Sequence, residues 1–189
     1  MNLPPDAADF DIAVLGLALP PDVEQALREA GEARGDPVRS MAALMRAQAL
    51  APEHPAVLIA FYRHYFYGHR LNLARDVARR ALVVGAGALG LPSLWREVPK
   101  QPLAGARSEA RTRFYLFVLK GYAYLSLRLA DPNEARDALA LLRALDPEDC
   151  VGGAVLEAVR QRVGDADADE QAYVAVTGAA AWARLPAAA

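Results

Sequence analysis

Breakers divide this chain into pieces of helix length. Gly35 with Asp36-Pro37, Pro52 and Pro55, Gly68, Gly90 with Pro92, Asp131-Pro132 and Asp146-Pro147 fall between segments whose apolar residues recur three and four apart. Few stretches show the strict alternation of a half-buried strand. A single such helix would leave its apolar face in water, so the segments must pair and stack to bury it. The expectation is an all-α fold of stacked antiparallel helical hairpins, about three irregular repeats plus a terminal helix, in one domain over 1–189. The hairpins are expected at 21–52, 55–90 and 108–147, followed by a helix over 150–163 and a short Ala-rich tail helix. Pro20 or Pro21 suits the approach to the first helix, and Asp22 and Glu24 suit its positive end. Gly85, Gly87 and Gly90 weaken the end of the segment over 71–90.

Composition narrows the function classes. A chain of 189 residues with 54% hydrophobic and 23% charged residues has the makings of a sizeable core. Its formal charge of −2 and pI near 5.9 provide no global attraction to nucleic acid or to an anionic membrane. Cys150 stands alone, which rules out an intrachain disulfide and fits a reducing compartment. The start "MNLPPDAADF" lacks the basic and apolar segments of a secretory signal, and "ALVVGAGALGLP" is too short to span a bilayer. The expected setting is the cytoplasm, with no nucleic-acid or membrane partner and no cofactor or metal.

In the second helix of each pair, small residues and a larger apolar one recur before a helix-ending proline. Ser40, Leu44, Ala47 and Pro52 follow this spacing, as do Ala135, Leu139, Leu142 and Pro147; Ala74, Ala78 and Ala81 give a less complete version. Tyr122, Ala123 and Ser126 occupy first-helix packing positions. In these positions residues 21–162 resemble the tetratricopeptide-repeat family, which implies a protein-interaction scaffold. The segments "RFYLFVLKGYAYLSLRLAD", "FYRHYFYGHR" and "LPSLWREV" also look like small repeat proteins associated with bacterial nitrogen-fixation gene clusters. That resemblance implies an accessory role in nitrogenase assembly or maintenance and a nitrogenase-related protein partner.

The aromatic stretch "FYRHYFYGHR" has two readings. Helical spacing pairs Phe61 with Tyr65 and Tyr62 with Phe66, as a core helix requires. The surplus of Arg63, Tyr67 and Arg70 beside Gly68 suggests a binding rim on that helix. His64 and His69 lie five apart, about 140 degrees round a helix, which is not the one-face spacing of a helical metal site. The letters GxGxxG at Gly85, Gly87 and Gly90 lie late in a helical segment with no strand before them, so close helix packing explains them better than a dinucleotide. Trp95 is expected to cover a seam between hairpins, with Arg96 and Lys100 in water. Arg107, Arg111 and Arg113 crowd the wrong end of a helix for its dipole, with Glu109 to offset them, and could guide an acidic protein segment. Gly121 leaves room for a neighbouring helix, and Tyr115, Lys120 and Tyr124 are offered to a groove. Cys150 has neighbouring acids that oppose a thiolate, and the acidic run Asp165, Asp167, Asp169 and Glu170 fits a solvated connector.

Together these features predict a non-enzymatic adaptor or assembly factor that grips a protein or peptide. Its predicted partner-binding residues are Tyr62, Arg63, Tyr67, Arg70, Trp95, Arg111, Tyr115 and Lys120. The alternatives left open are a small-molecule-binding enzyme inside a helical bundle and a structural oligomerisation module.

Overall fold

The computed structural model describes residues 18–162 and is all-helical over them, with no strand among the described residues. Seven α-helices follow one another: α1 Pro21–Glu32, α2 Pro37–Leu50, α3 Pro55–Tyr67, α4 Leu71–Leu89, α5 Ala110–Arg128, α6 Pro132–Leu145 and α7 Ala154–Arg162. The expected tail helix and the acidic run Asp165–Glu170 lie outside the described residues. The sequence pattern becomes α1–α2, α3–α4 and α5–α6 antiparallel hairpins, with α7 packed on α6. α4 packs closely on both α3 and α5, which joins the second hairpin to the third.

The Asp-Pro and His-Pro pairs do more than stop helices. Asp36 accepts the N–H groups of Val38 and Arg39, Asp131 accepts that of Glu134, and His54 Nδ1 accepts that of Ala56. In each case proline fills the first helical position, where no N–H is needed. Each pair therefore opens the helix that follows. At the other ends, α3, α4 and α5 close on a residue of positive φ: His69, Gly90 and Ala130. The next N–H then reaches back to a carbonyl five residues earlier, Arg70 to Tyr65, Leu91 to Ala86 and Asp131 to Ser126.

The small and apolar repeat positions all point inward. Ser40, Leu44, Ala47, Ala74, Ala78, Ala81, Ala135, Leu139 and Leu142 are buried, as are Tyr122, Ala123 and Ser126 of α5. Two apolar clusters result. The first unites α1, α2 and α3 with Val77, Ala81 and Phe114; the second unites α4, α5, α6 and α7. Gly85 lies in the body of α4, where an added Cβ would sit 3.2 Å from the rings of both Phe114 and Tyr115. The glycines of "VGAGALG" thus serve helix packing at Gly85 and a left-handed cap at Gly90, and α4 runs unbroken through Gly87.

The connection between α4 and α5, residues 90–109, is long for a helical hairpin array. It is a packed strap. Val98 is buried, Trp95 and Leu103 pack against the second cluster, and Leu103 N–H donates to Leu145 O at 2.9 Å. No described helix is long and apolar enough to cross a membrane.

Candidate interaction surface

α3 and α5 meet through rings. Phe61 lies 5.9 Å from Tyr65, and Tyr62 stacks on Phe66 at 5.8 Å with planes 8° apart, as helical spacing predicts. Phe66 in turn contacts Tyr67 at 5.4 Å and Tyr124 of α5 at 5.8 Å. Gly121 makes the crossing possible, since a Cβ there would stand 3.0 Å from the Tyr62 hydroxyl. Burial, with Tyr124 and Tyr67 nearby, drives the Tyr62 phenol pKa far upward, so it stays neutral. Tyr62, Tyr65 and Val118 pack against both apolar clusters, and the aromatic surplus of α3 is therefore the joint between them.

Along α5 a ladder emerges that the Phe114–Phe117–Gly121 spacing conceals. Arg113, Phe117, Lys120, Tyr124 and Arg128 follow at steps of four, three, four and four, so a cation alternates with a ring on one side of the helix. The Lys120 ammonium lies 5.2 Å from the Phe117 ring centre, and Arg128 donates to the Tyr124 hydroxyl at 3.0 Å. Phe117 and Tyr124 are buried, while Arg128 is exposed. Reading cations and aromatics as one class in the sequence would have exposed this period.

The eight predicted residues do not share one face. Tyr67 and Arg70 are exposed at the end of α3 and Arg63 is half-buried one turn earlier. Tyr115 is a correction. It is fully buried against Gly85, its hydroxyl has no hydrogen-bond partner, and burial pushes its pKa up to about 12. It is a core residue, placed there by the inward turn of α5 toward α4. Lys120 is spent internally: its ammonium donates to the Val151 carbonyl in the α6–α7 turn, and burial lowers its pKa against a smaller upward pull from Asp149. Arg111 is exposed on the first turn of α5.

Trp95 does cover a seam, packing 5.8 Å from Tyr122 where the strap touches α4 and α6. Arg96 is not left to water alone. It stacks 4.4 Å over Trp95 and pairs with Glu134. Glu134 also accepts the Tyr122 hydroxyl, and Arg79 Nε donates to that hydroxyl at 3.3 Å. A four-element latch results, drawn from α4, the strap, α5 and α6.

The α6–α7 turn is built by the carboxylates of "DPED". Asp146, almost fully buried, accepts the N–H groups of Cys150 and Val151. Asp149, at φ 54°, accepts those of Gly153 and Ala154 and so caps α7. Arg107 pairs with Glu148 rather than being offset by Glu109. Burial and Asp146 raise the Cys150 thiol pKa, with Arg107 opposing, so the thiol form dominates near neutrality. The histidines diverge: His64 Nδ1 is 3.5 Å from Ser40 Oγ, while His69 is exposed in the left-handed cap. Among the described residues no three His, Cys, Asp or Glu side chains are grouped to hold a metal.

No protein-family model matches the chain, and no solved structure matches it significantly. A protein of Azotobacter chroococcum mcd 1 described as "Uncharacterized 19.8 kDa protein in nifW 5'region" is 40% identical over 115 residues. The match takes in 60% of this chain and 64% of that protein, so the chain spans just under two thirds of the relative it matches. The chain is thus an all-α array of stacked helical hairpins over its described residues, similar in sequence to a protein from a nifW 5' region.

Proposed function

We propose that this chain is a non-enzymatic adaptor or assembly factor whose partner is a protein or peptide. The observation that carries the reading is the cation-and-ring surface where α3 meets α5, held in place by packed helices on both sides. A preorganised surface of this kind loses little freedom on binding, so ring contacts can anchor a partner while the arginines set its approach and register. Tyr62, Arg63, Tyr67 and Arg70 are the residues of the predicted set that belong to this surface. Trp95, Arg111, Tyr115 and Lys120 support the array or lie outside it. The nifW-region relative favours a narrower version, an accessory role in nitrogenase assembly or maintenance in the cytoplasm.

Affinity capture of the tagged full chain from a nitrogen-fixing cell, followed by reconstitution with purified proteins, tests both levels. Stable capture of a nitrogenase or assembly-pathway protein is the expected result. Repeated capture of other proteins instead would remove the nitrogenase version and leave the adaptor. The adaptor itself falls if no captured protein binds the purified chain directly.

A further inference from the structure

The outward face of α2 departs from those of its counterparts. Ser40, Leu44 and Ala47 of α2 correspond to Ala74, Ala78 and Ala81 of α4 and to Ala135, Leu139 and Leu142 of α6, all of them buried. In the same register the outward side of α4 carries Asn72, Asp76 and Arg79, and that of α6 carries Asn133, Asp137 and Ala140. On α2 these places hold Val38, Ala42 and Met45. Ala49 extends the stripe by a turn, at a place that is apolar in all three helices. Val38 is 79% exposed and Met45 60%, and both alanines are exposed with them.

The stripe has the spacing of a coiled-coil seam. Val38, Ala42, Met45 and Ala49 follow at steps of four, three and four, so the large residues recur seven apart and so do the alanines between them. From first to last the seam is about 16 Å long at the rise of an α-helix. Its pattern selects one occupant. A second α2, laid antiparallel across a two-fold axis, brings Val38 against Ala49 and Met45 against Ala42, twice each. Every large side chain then fills the space beside an alanine, and the two backbones approach closely. A parallel pairing would set Val38 on Val38 and Ala42 on Ala42, leaving gaps at the alanines.

The edges of the seam agree with the same axis. Met41 and Gln48, half-buried and uncharged, flank one side. Arg39 and Arg46 flank the other, and Arg46 is answered within its own chain by Glu29 of α1. Among the described residues Arg39 has no ion pair with a carboxylate. The two-fold axis sets it two residues from level with the Arg46–Glu29 pair of the second copy, so the Glu29 carboxylate faces it across the seam.

We infer that two copies of this chain associate through α2, as an antiparallel two-fold pair along Val38, Ala42, Met45 and Ala49. The inference is independent of the adaptor reading, since no residue of the α3–α5 surface takes part. One pair of short helices buries less surface than a standard interface, so the dimer exchanges with monomer and its population follows concentration.

The test uses the full chain carrying Cys150→Ser, so that only introduced thiols react. Sedimentation equilibrium over an about hundredfold range of concentration should show the mean mass climbing from the monomer toward twice that value and no further. Met45→Glu puts a carboxylate in the seam and should weaken association at least about tenfold. Ala140→Glu, at the corresponding place on α6, should leave it unchanged. Under mild oxidation a mixture of Val38→Cys and Ala49→Cys chains should give a disulfide-linked pair. Val38→Cys alone should not, because its two copies stand about 16 Å apart along the seam. Matching thermal melts establish that each variant is folded. A monomer at every concentration, growth beyond the dimer, association indifferent to Met45→Glu, or equal cross-linking by Val38→Cys alone overturns the inference. So does a chain that dimerises only once residues 1–17 are removed, because its own leading segment would then be the occupant of the stripe.

Discussion

Two glycines of α4, two positions apart, meet opposite surroundings, and the difference fixes the sign of the same substitution. At Gly85 a new methyl would press on Phe114 and on fully buried Tyr115; at Gly87 no atom lies within 4 Å. Gly87→Ala is expected to stabilise the fold by about 0.5 to 1 kcal/mol, because helix propensity acts alone there. At Gly85 the same gain is set against rings that must shift in a close-packed core, so Gly85→Ala is expected to destabilise by about 1 to 3 kcal/mol. Denaturant midpoints for the two variants check this, and shifts of equal sign would reject it. The helical periodicity of the sequence already placed a glycine contact near this segment. It could not say which of three glycines faced a neighbour, because direction around a helix is legible locally whereas the identity of the neighbour is not.

Side chains open α2, α3, α6 and α7, and the cap of α3 is a histidine. His54 caps α3 by accepting the Ala56 N–H at Nδ1, so its proton sits on Nε2, which is buried without a partner. Burial holds its pKa below 6.5, and burial with Arg70 nearby does the same for His64. With folded pKa values below the unfolded one, the unfolded chain binds more protons as the pH falls. The stability supplied by the neutral imidazoles is therefore complete above about pH 6.5 and is lost as the pH falls toward the folded values. Melting temperatures measured between about pH 7 and about pH 5 should decline on the acid side. His54→Asn keeps a side-chain acceptor at the cap and should flatten that slope; an unchanged slope would show that His54 is not part of it. At this scale the breakers were legible as boundaries. Their role as openers was not, since a side chain that bonds the backbone ahead of it leaves the same letters as one that merely ends a helix.

Across the whole molecule, the latch at Glu134 ties α4, the strap, α5 and α6 into one body. Glu134 is mostly buried and holds both Tyr122 and Arg96, so Glu134→Ala is expected to cost about 1 to 3 kcal/mol. The exposed Arg136–Asp137 pair nearby should contribute no more than about 0.5 kcal/mol when Asp137 becomes Ala. Chemical denaturation of both variants separates the two cases, and similar losses would show that the latch is no stronger than a surface pair. The stacked hairpins were legible in the whole sequence because small residues repeat at the same positions of successive second helices. Of the eight residues, Tyr67 and Arg70 sit in an exposed helix end that the Gly68 break already marks, whereas the burial of Tyr115 and the internal bond of Lys120 depend on how α5 is rotated and on a turn 31 residues away.

The strap also bears on the order in which the chain assembles. Its anchors come later in the chain, on α5 and α6, for Trp95 packs on Tyr122, Arg96 pairs with Glu134 and the Leu103 amide donates to the carbonyl of Leu145. None of these partners is in position until the third hairpin has closed, so the strap is expected to lock down late in folding. Contacts formed that late leave the folding rate alone and govern how slowly the native state comes apart. Trp95→Ala is therefore expected to shorten the lifetime of the folded chain more than it slows its formation, which folding and unfolding rates would check.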